Sequence, residues 1–174
     1  MADSSTPARI VIWVVMLGGG VVLGVTLDAI WFRELLLNPW WHLATIVPGL
    51  LLLKLVFLVS RNTGRTLSRY GREGKLPRFE TNRLVMTGPY GCMRHPMHFG
   101  LLFLPLAVAL IVGSPSFIFL IAPGEAVFML LMIRFLEEAE ATKKFGVDYT
   151  TYKKRVPAFN LRWHCLKRLF SIAE

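Results

Sequence analysis

Apolar residues gather into four long runs along this chain, with polar stretches between them. The runs cover roughly Ile10–Trp31, His42–Val59, Met97–Val112 and Phe117–Phe135, each near the ~20 residues a helix needs to cross about 30 Å of hydrocarbon. The third run is the shortest. Only Gly113, Ser114, Pro115 and Ser116 part it from the fourth, which predicts a tight helical hairpin that crosses and returns as a unit. The pattern therefore predicts an all-α integral membrane protein with about four transmembrane helices and a cytoplasmic C-terminal helical region. Four segments follow: an N-terminal helix pair over 1–60, a basic loop over 61–96, the hairpin over 97–136 and C-terminal helices over 137–174.

Composition agrees, since 54% hydrophobic residues and a mean hydropathy of +0.51 are too apolar for an ordinary soluble domain of this length. The net charge of +9 would suit nucleic acid, but its placement does not. Eight of the twenty Lys and Arg lie between Arg61 and Arg94 and nine between Arg134 and Arg168. The positive-inside rule puts both stretches, and with them both termini, in the cytoplasm, leaving Glu34–Trp41 and Gly113–Ser116 outside. A bilayer with anionic headgroups is the expected partner, and nucleic acid is not. In that topology Cys92 and Cys165 both face a reducing compartment, so no structural disulfide is expected. The four histidines include no i, i+4 pair and the cysteines lack ligand spacing, so no metal site is expected. The first run is too long for a signal peptide and reads as a retained helix. Its triple glycine, Gly18–Gly20, suits close helix approach, and no fingerprint for a nucleotide-binding βαβ unit is present.

Two polar clusters stand at the ends of the hairpin. Gly88-Pro89-Tyr90 signals a turn, while Pro96 biases His95 away from helical geometry and itself fits the first turn of the third run. This places Arg94 and His95 at a membrane boundary, where ionisable groups are costly unless paired. After the fourth run, Arg134 precedes Glu137 and Glu138 by three and four residues and on one helix can reach either; taken alone, the cluster reads as a solvated surface ion pair worth a few tenths of a kcal/mol. Phe145-Gly146 predicts a helix end, followed by a short helix carrying Tyr149 and Tyr152 on one face and closing at Arg155-Val156-Pro157. Within the spans, Lys54 can snorkel and Asp28 lies near a span end. Glu125 lies deeper, beside the expected helix break at Pro123-Gly124, as either a substrate-pocket residue or an interhelical contact.

The sequence GPYGCMRHPMHFG at 88–100, followed about forty residues later by LEEAEATKKFGVDYTTYKKRVPAF at 136–159, resembles the signature pair of the isoprenylcysteine carboxyl methyltransferase family and its bacterial relatives. Its superfamily includes membrane phospholipid N-methyltransferases. The resemblance covers about Leu84–Phe159 and implies a methyltransferase of the bacterial inner membrane that uses S-adenosylmethionine (SAM). It further implies that His95, Glu137, Glu138 and Arg155 hold the cofactor, with Arg155 and Glu138 taking the catalytic part. The chemistry of SAM extends this set. Arg94 or Arg155 suits its carboxylate, the backbone from Pro89 to Met93 suits the adenine, Tyr90 suits stacking, and Tyr149 and Tyr152 complete the wall.

The expected acceptor is a lipophilic or small molecule bearing a carboxylate, thiol or amine, with His98 and Glu125 as substrate-pocket candidates. Gly91-Cys92, Met97-His98 and Glu140 depart from the family pattern, and the N-terminal half, where relatives diverge, leaves the acceptor open. Competing readings are a membrane sterol-type reductase using NADPH and a non-catalytic membrane binding protein; the paired glutamates and the RVPAF ending favour methyl transfer. Oligomeric state is left open by the sequence.

Overall fold

The computed structural model describes residues 6–75 and 80–171. Its order is α1 (Thr6–Trp31), α2 (Arg33–Leu36), α3 (Pro39–Tyr70), a 3₁₀ turn (Gly88–Gly91), α4 (Pro96–Leu101), α5 (Leu104–Val112), a π turn (Phe117–Ile121), α6 (Ala122–Met132), a second π turn (Ile133–Glu137), α7 (Glu138–Arg155) and α8 (Trp163–Phe170). The protein is all-α, as the hydropathy pattern predicts. Among the described residues, three helical stretches are long and apolar enough to cross a membrane, Arg9–Trp31, Pro39–Tyr70 and Phe117–Arg155, and Pro96–Val112 is a shorter apolar helix. Large apolar side chains such as Val14, Val22, Ile30, Leu43 and Phe119 stand exposed on these helices, as hydrocarbon-facing surfaces require.

The chain divides into two compact units. The first comprises the chain up to Leu55 together with Leu102–Leu130. Its core joins Ala109, Phe117, Ile118 and Ala122 to Val21 and Trp41. Helix α3 starts well because Asn38 Oδ1 accepts the Trp40 N–H at 2.9 Å and proline follows at the first helical position. The predicted hairpin turn is present, with Gly113 in the left-handed region at φ +71°, where glycine carries no Cβ penalty. Asp28, fully buried, holds the turn. Its carboxylate accepts the Ser114 hydroxyl and the Ser116 N–H at 2.8 Å, satisfying groups that hydrocarbon cannot. Close approach in α1 falls on Gly20 and Gly24, whose added Cβ atoms would collide with Glu125, Phe117 and Ser114, while Gly18 and Gly19 face open space. Expected at Pro123-Gly124, the helix irregularity instead lies just before it, as the π turn over Phe117–Ile121.

The second unit comprises Val56–Leu101 and the chain from Leu131 onward, with a core of Val59, Cys92, Met93, Cys165 and Leu169. Helix α3 runs on past the expected end at Val59 to Tyr70. Thr63 and Thr66 back-bond to the Val59 and Asn62 carbonyls, and Asn62 donates to Leu169 O at 3.1 Å, so polar residues that read as loop are absorbed into a packed helix. The absence of a disulfide is a failed expectation. Cys92 and Cys165 are bonded, with Cα atoms 5.5 Å apart, because α8 packs on the turn at Gly88–Gly91 and brings the two within bridging range. The compartment argument concerned reductant supply, whereas both sulfurs are buried and thiol exchange requires access.

Candidate functional site

The second unit joins the two polar clusters through their backbones before any side chain is considered. Arg94 N–H donates to Pro157 O at 3.0 Å and His95 N–H to Ala158 O at 3.2 Å, so the RHP segment lies strand-like along the segment after α7. That segment is extended because Val156 leaves the helix at φ −120°, ψ 124°, the geometry favoured before Pro157. Pro96 opens α4 as expected, and Tyr152 Oη donates to Tyr90 O at 2.5 Å.

Glu138 is the hub of the side chains. Its Oε1 accepts from Arg94 Nε at 2.9 Å, His95 Nε2 at 2.9 Å and Tyr149 Oη at 3.2 Å, and it pairs with Arg94 Nη2 at 2.8 Å. Lys153 Nζ stands 2.5 Å from Oε2. Arg94 spends its remaining donors on Lys153 O at 3.3 Å and Val156 O at 2.5 Å. Charge-assisted bonds of this kind are the strong ones, and two cations around one buried carboxylate offset its lost hydration. Glu137 turns to the histidines instead, with Oε1 3.1 Å from His98 Nε2 and Oε2 3.8 Å from His95 Nδ1. Burial pushes His95 below the ordinary imidazole range, outweighing the upward pull of its bond to Glu138. Glu138 therefore accepts from a neutral ring. Burial also pushes the Tyr90 hydroxyl up, with the neighbouring Tyr152 and Glu137 adding to it.

The π turn over Ile133–Glu137 aims these carboxylates, since the extra residue resets the phase of the helix before Glu137 and Glu138. It also overturns the expected pairing with Arg134. That arginine is exposed, and Glu138 pairs with Arg94 and Lys153. A second irregularity, Gly146 at φ +56°, ψ −126°, kinks α7 where the sequence predicts a helix end and returns Tyr149 and Tyr152 to the cluster. Their rings meet edge-on at 6.0 Å.

Of the expected site residues, Arg94, His95, Glu137, Glu138, Tyr149 and His98 come together directly, and Tyr152 joins through Tyr90. Pro89 and Tyr90 are buried in the adjoining turn, while the Met93 side chain is packed in the core. Arg155 is exposed at the end of α7, without an ion-pair partner among the described residues. Glu125 belongs to the first unit, where its carboxylate lies against Gly20. Lys153 was missed. Its signal was present, four residues after Tyr149 and hence on the same helical face. The sequence also does not announce the grouping of His95, His98 and Glu137, whose polar atoms all lie within 4.8 Å of one another, because the histidines stand at i, i+3 and the glutamate is distant.

Among known proteins, the family model described as phospholipid methyltransferase matches residues 43–148, more than half of the chain and inclusive of Arg94, His95, Glu137 and Glu138. No curated protein and no solved structure matches.

Proposed function

The chain belongs to the phospholipid methyltransferase family, and from that membership we propose that it moves a methyl group from SAM to a lipophilic acceptor drawn from the bilayer. The supporting observation is that the RHP segment and the paired glutamates, more than forty residues apart in sequence, meet at Glu138 in one buried cluster. A cationic donor suits a site whose partly exposed acidic group is Glu137 (20% side-chain exposure). Among the described residues the buried Tyr90 hydroxyl has no hydrogen-bond partner, as is expected of a polar group awaiting a ligand.

Glu137, His95, Tyr90 and the backbone of the Pro89–Met93 turn are the groups we assign to holding the cofactor, and to Arg155, exposed at the end of α7, we assign its carboxylate. Arg94 and Glu138 position: each is saturated by partners that fix the RHP loop against α7. When bound, SAM supplies a sulfonium-activated methyl group. The protein then has to orient a nucleophile opposite that group and exclude water, and no residue needs to form a covalent intermediate. A thiolate or carboxylate acceptor, as in the isoprenylcysteine branch, arrives charged. An amine must first lose a proton, and His98 beside Glu137 is the pair we place at that step. The basic segments at both ends of the site favour a cytoplasmic face for the cofactor, with both termini on that side of a bacterial inner membrane.

Purified protein in detergent should bind labelled SAM. His95→Ala, which removes a cofactor contact, and Glu138→Ala, which releases the loop that carries His95, should each weaken binding by at least about tenfold. Absence of binding by the unmodified protein would end this reading, and preferential binding of NADPH would transfer the site to reductase chemistry. Membranes with and without the enzyme should then differ in methylated lipids, thiols or proteins.

A further inference from the structure

The short helix α8 buries one face and exposes another that is apolar. Cys165 and Leu169 pack inward with Val59 and Met93. Trp163 and Phe170, seven residues apart and so on one face, are 71% and 44% exposed, and Leu161 just ahead of them is 73% exposed. Basic side chains border this stripe. Arg162, Lys167 and Arg168 are exposed, and Lys167 Nζ stands 5.4 Å from the centroid of the Trp163 ring. From Lys153 to Ser171 the chain carries six Lys and Arg and no Asp or Glu, so no acidic residue along this stretch offsets the charge.

The depth of α8 follows from what it packs on. Val59 closes the second apolar run, and Asn62, about 4.5 Å further along α3, donates to Leu169 O at 3.1 Å. Arg61 and Arg65, one residue before and three after Asn62, are exposed. Helix α8 therefore meets α3 where exposed apolar residues such as Phe57 give way to charge, which is the level of lipid headgroups. Aromatic side chains are favoured at that level, and basic ones on its cytoplasmic side.

We propose that α8 is a binding surface for anionic phospholipid, with Trp163 and Phe170 lying in the upper acyl-chain region and Arg162, Lys167 and Arg168 meeting the phosphates. A helix with aromatic residues on one side and cations beside them lies in the plane of the interface, and each cation near an anionic surface adds to the attraction. A zwitterionic headgroup offsets its phosphate with its own ammonium, so these cations select a bilayer of net negative charge. The surface is also tied to the loop ahead of Arg94. Cys165 is bonded to Cys92, and Asn160 Nδ2 donates to Cys92 O at 3.3 Å, so a lipid-seated α8 braces the turn from which Arg94 and His95 extend. None of the lipid-facing residues belongs to the cofactor cluster, and lipid binding stands independently of methyl transfer.

The test places the disulfide-intact full chain in nanodiscs of phosphatidylcholine with and without phosphatidylglycerol. The anionic lipid should raise the melting temperature by at least about 4 °C. A Lys167→Gln, Arg168→Gln double variant should lose most of that rise, whereas Lys143→Gln with Lys144→Gln, a change of equal net charge, should keep it. Absence of the rise in the unmodified protein, equal loss in both double variants, or a rise reproduced by inorganic phosphate in neutral discs overturns the proposal. Depth is read from the fluorescence that Trp163→Phe removes. Lipids brominated in the upper acyl chain should quench that emission; quenching by aqueous acrylamide alone, or by neither agent, as a second copy of the chain covering the stripe would give, overturns the proposal as well.

Discussion

At the scale of single residues, burial decides which ion pairs matter. Glu138 and Arg94 expose 5% and 9% of their side chains, whereas Glu73 and Arg83, 3.7 Å apart, expose 73% and 62%. Removing one partner of a buried pair leaves the other charge without water or counter-ion, a cost of about 3–5 kcal/mol, while a solvated pair contributes about 0–1 kcal/mol. Glu138→Gln should therefore lower the melting temperature in detergent strongly, and Glu73→Gln barely at all; equal melting temperatures for the two variants would show that Glu138 is not the hub described. His95 and Glu138 were legible in the sequence because a motif carries them. Asp28 was visible only as a charge near a span end, since nothing in its neighbourhood announces that Ser114 and Ser116, more than eighty residues on, come to meet it.

At the scale of elements, irregular backbone aims the chemistry. The π turn before Glu138 was not legible: Ile133–Glu137 reads as ordinary helix, with no glycine or proline to mark the extra residue in the turn. Gly146 was legible as a break, because glycine after Phe145 is a common helix terminator. The structure sharpens that reading, since helix resumes at once beyond a residue at φ +56°, ψ −126°, a conformation essentially confined to glycine. An added Cβ would meet no neighbour there, so the cost of Gly146→Ala comes from backbone alone, about 1–3 kcal/mol. Thermal unfolding should show that loss. SAM binding should weaken with it, because the kink returns Tyr149 to Glu138 and Tyr152 to Tyr90; unchanged stability and binding would mean that the kink is incidental. The length of α3 was missed for the opposite reason. Polar residues from Ser60 to Arg69 carry no apolar stripe, and the bonds that hold them in the helix, Thr63 and Thr66 to carbonyls a turn back and Asn62 to Leu169 O, are invisible to a hydropathy pattern.

At the scale of the whole molecule, the Cys92–Cys165 bond closes a long stretch of chain, with a sequence separation of 73. In the chain-entropy account a loop of that size is worth about 4 kcal/mol. Reduction, or Cys165→Ser, should lower the melting temperature and raise exchange of amide hydrogens around Met93–His95, as hydrogen-exchange mass spectrometry would read; an unchanged pattern would mean that packing of α8 suffices without the bond. The sequence by itself determined the all-α membrane architecture and the hairpin turn, and its motifs named the RHP and paired-glutamate residues that meet in one cluster, because hydrocarbon length, glycine and proline geometry and local motifs act over a few residues to one span. Tertiary structure alone decided that Glu138 pairs with Arg94 and Lys153 and not with Arg134, that Glu137 faces two histidines, and that the cysteines join. Those outcomes depend on the phase of a π turn and on contacts across 15 to 73 residues, distances over which a linear pattern carries no geometry.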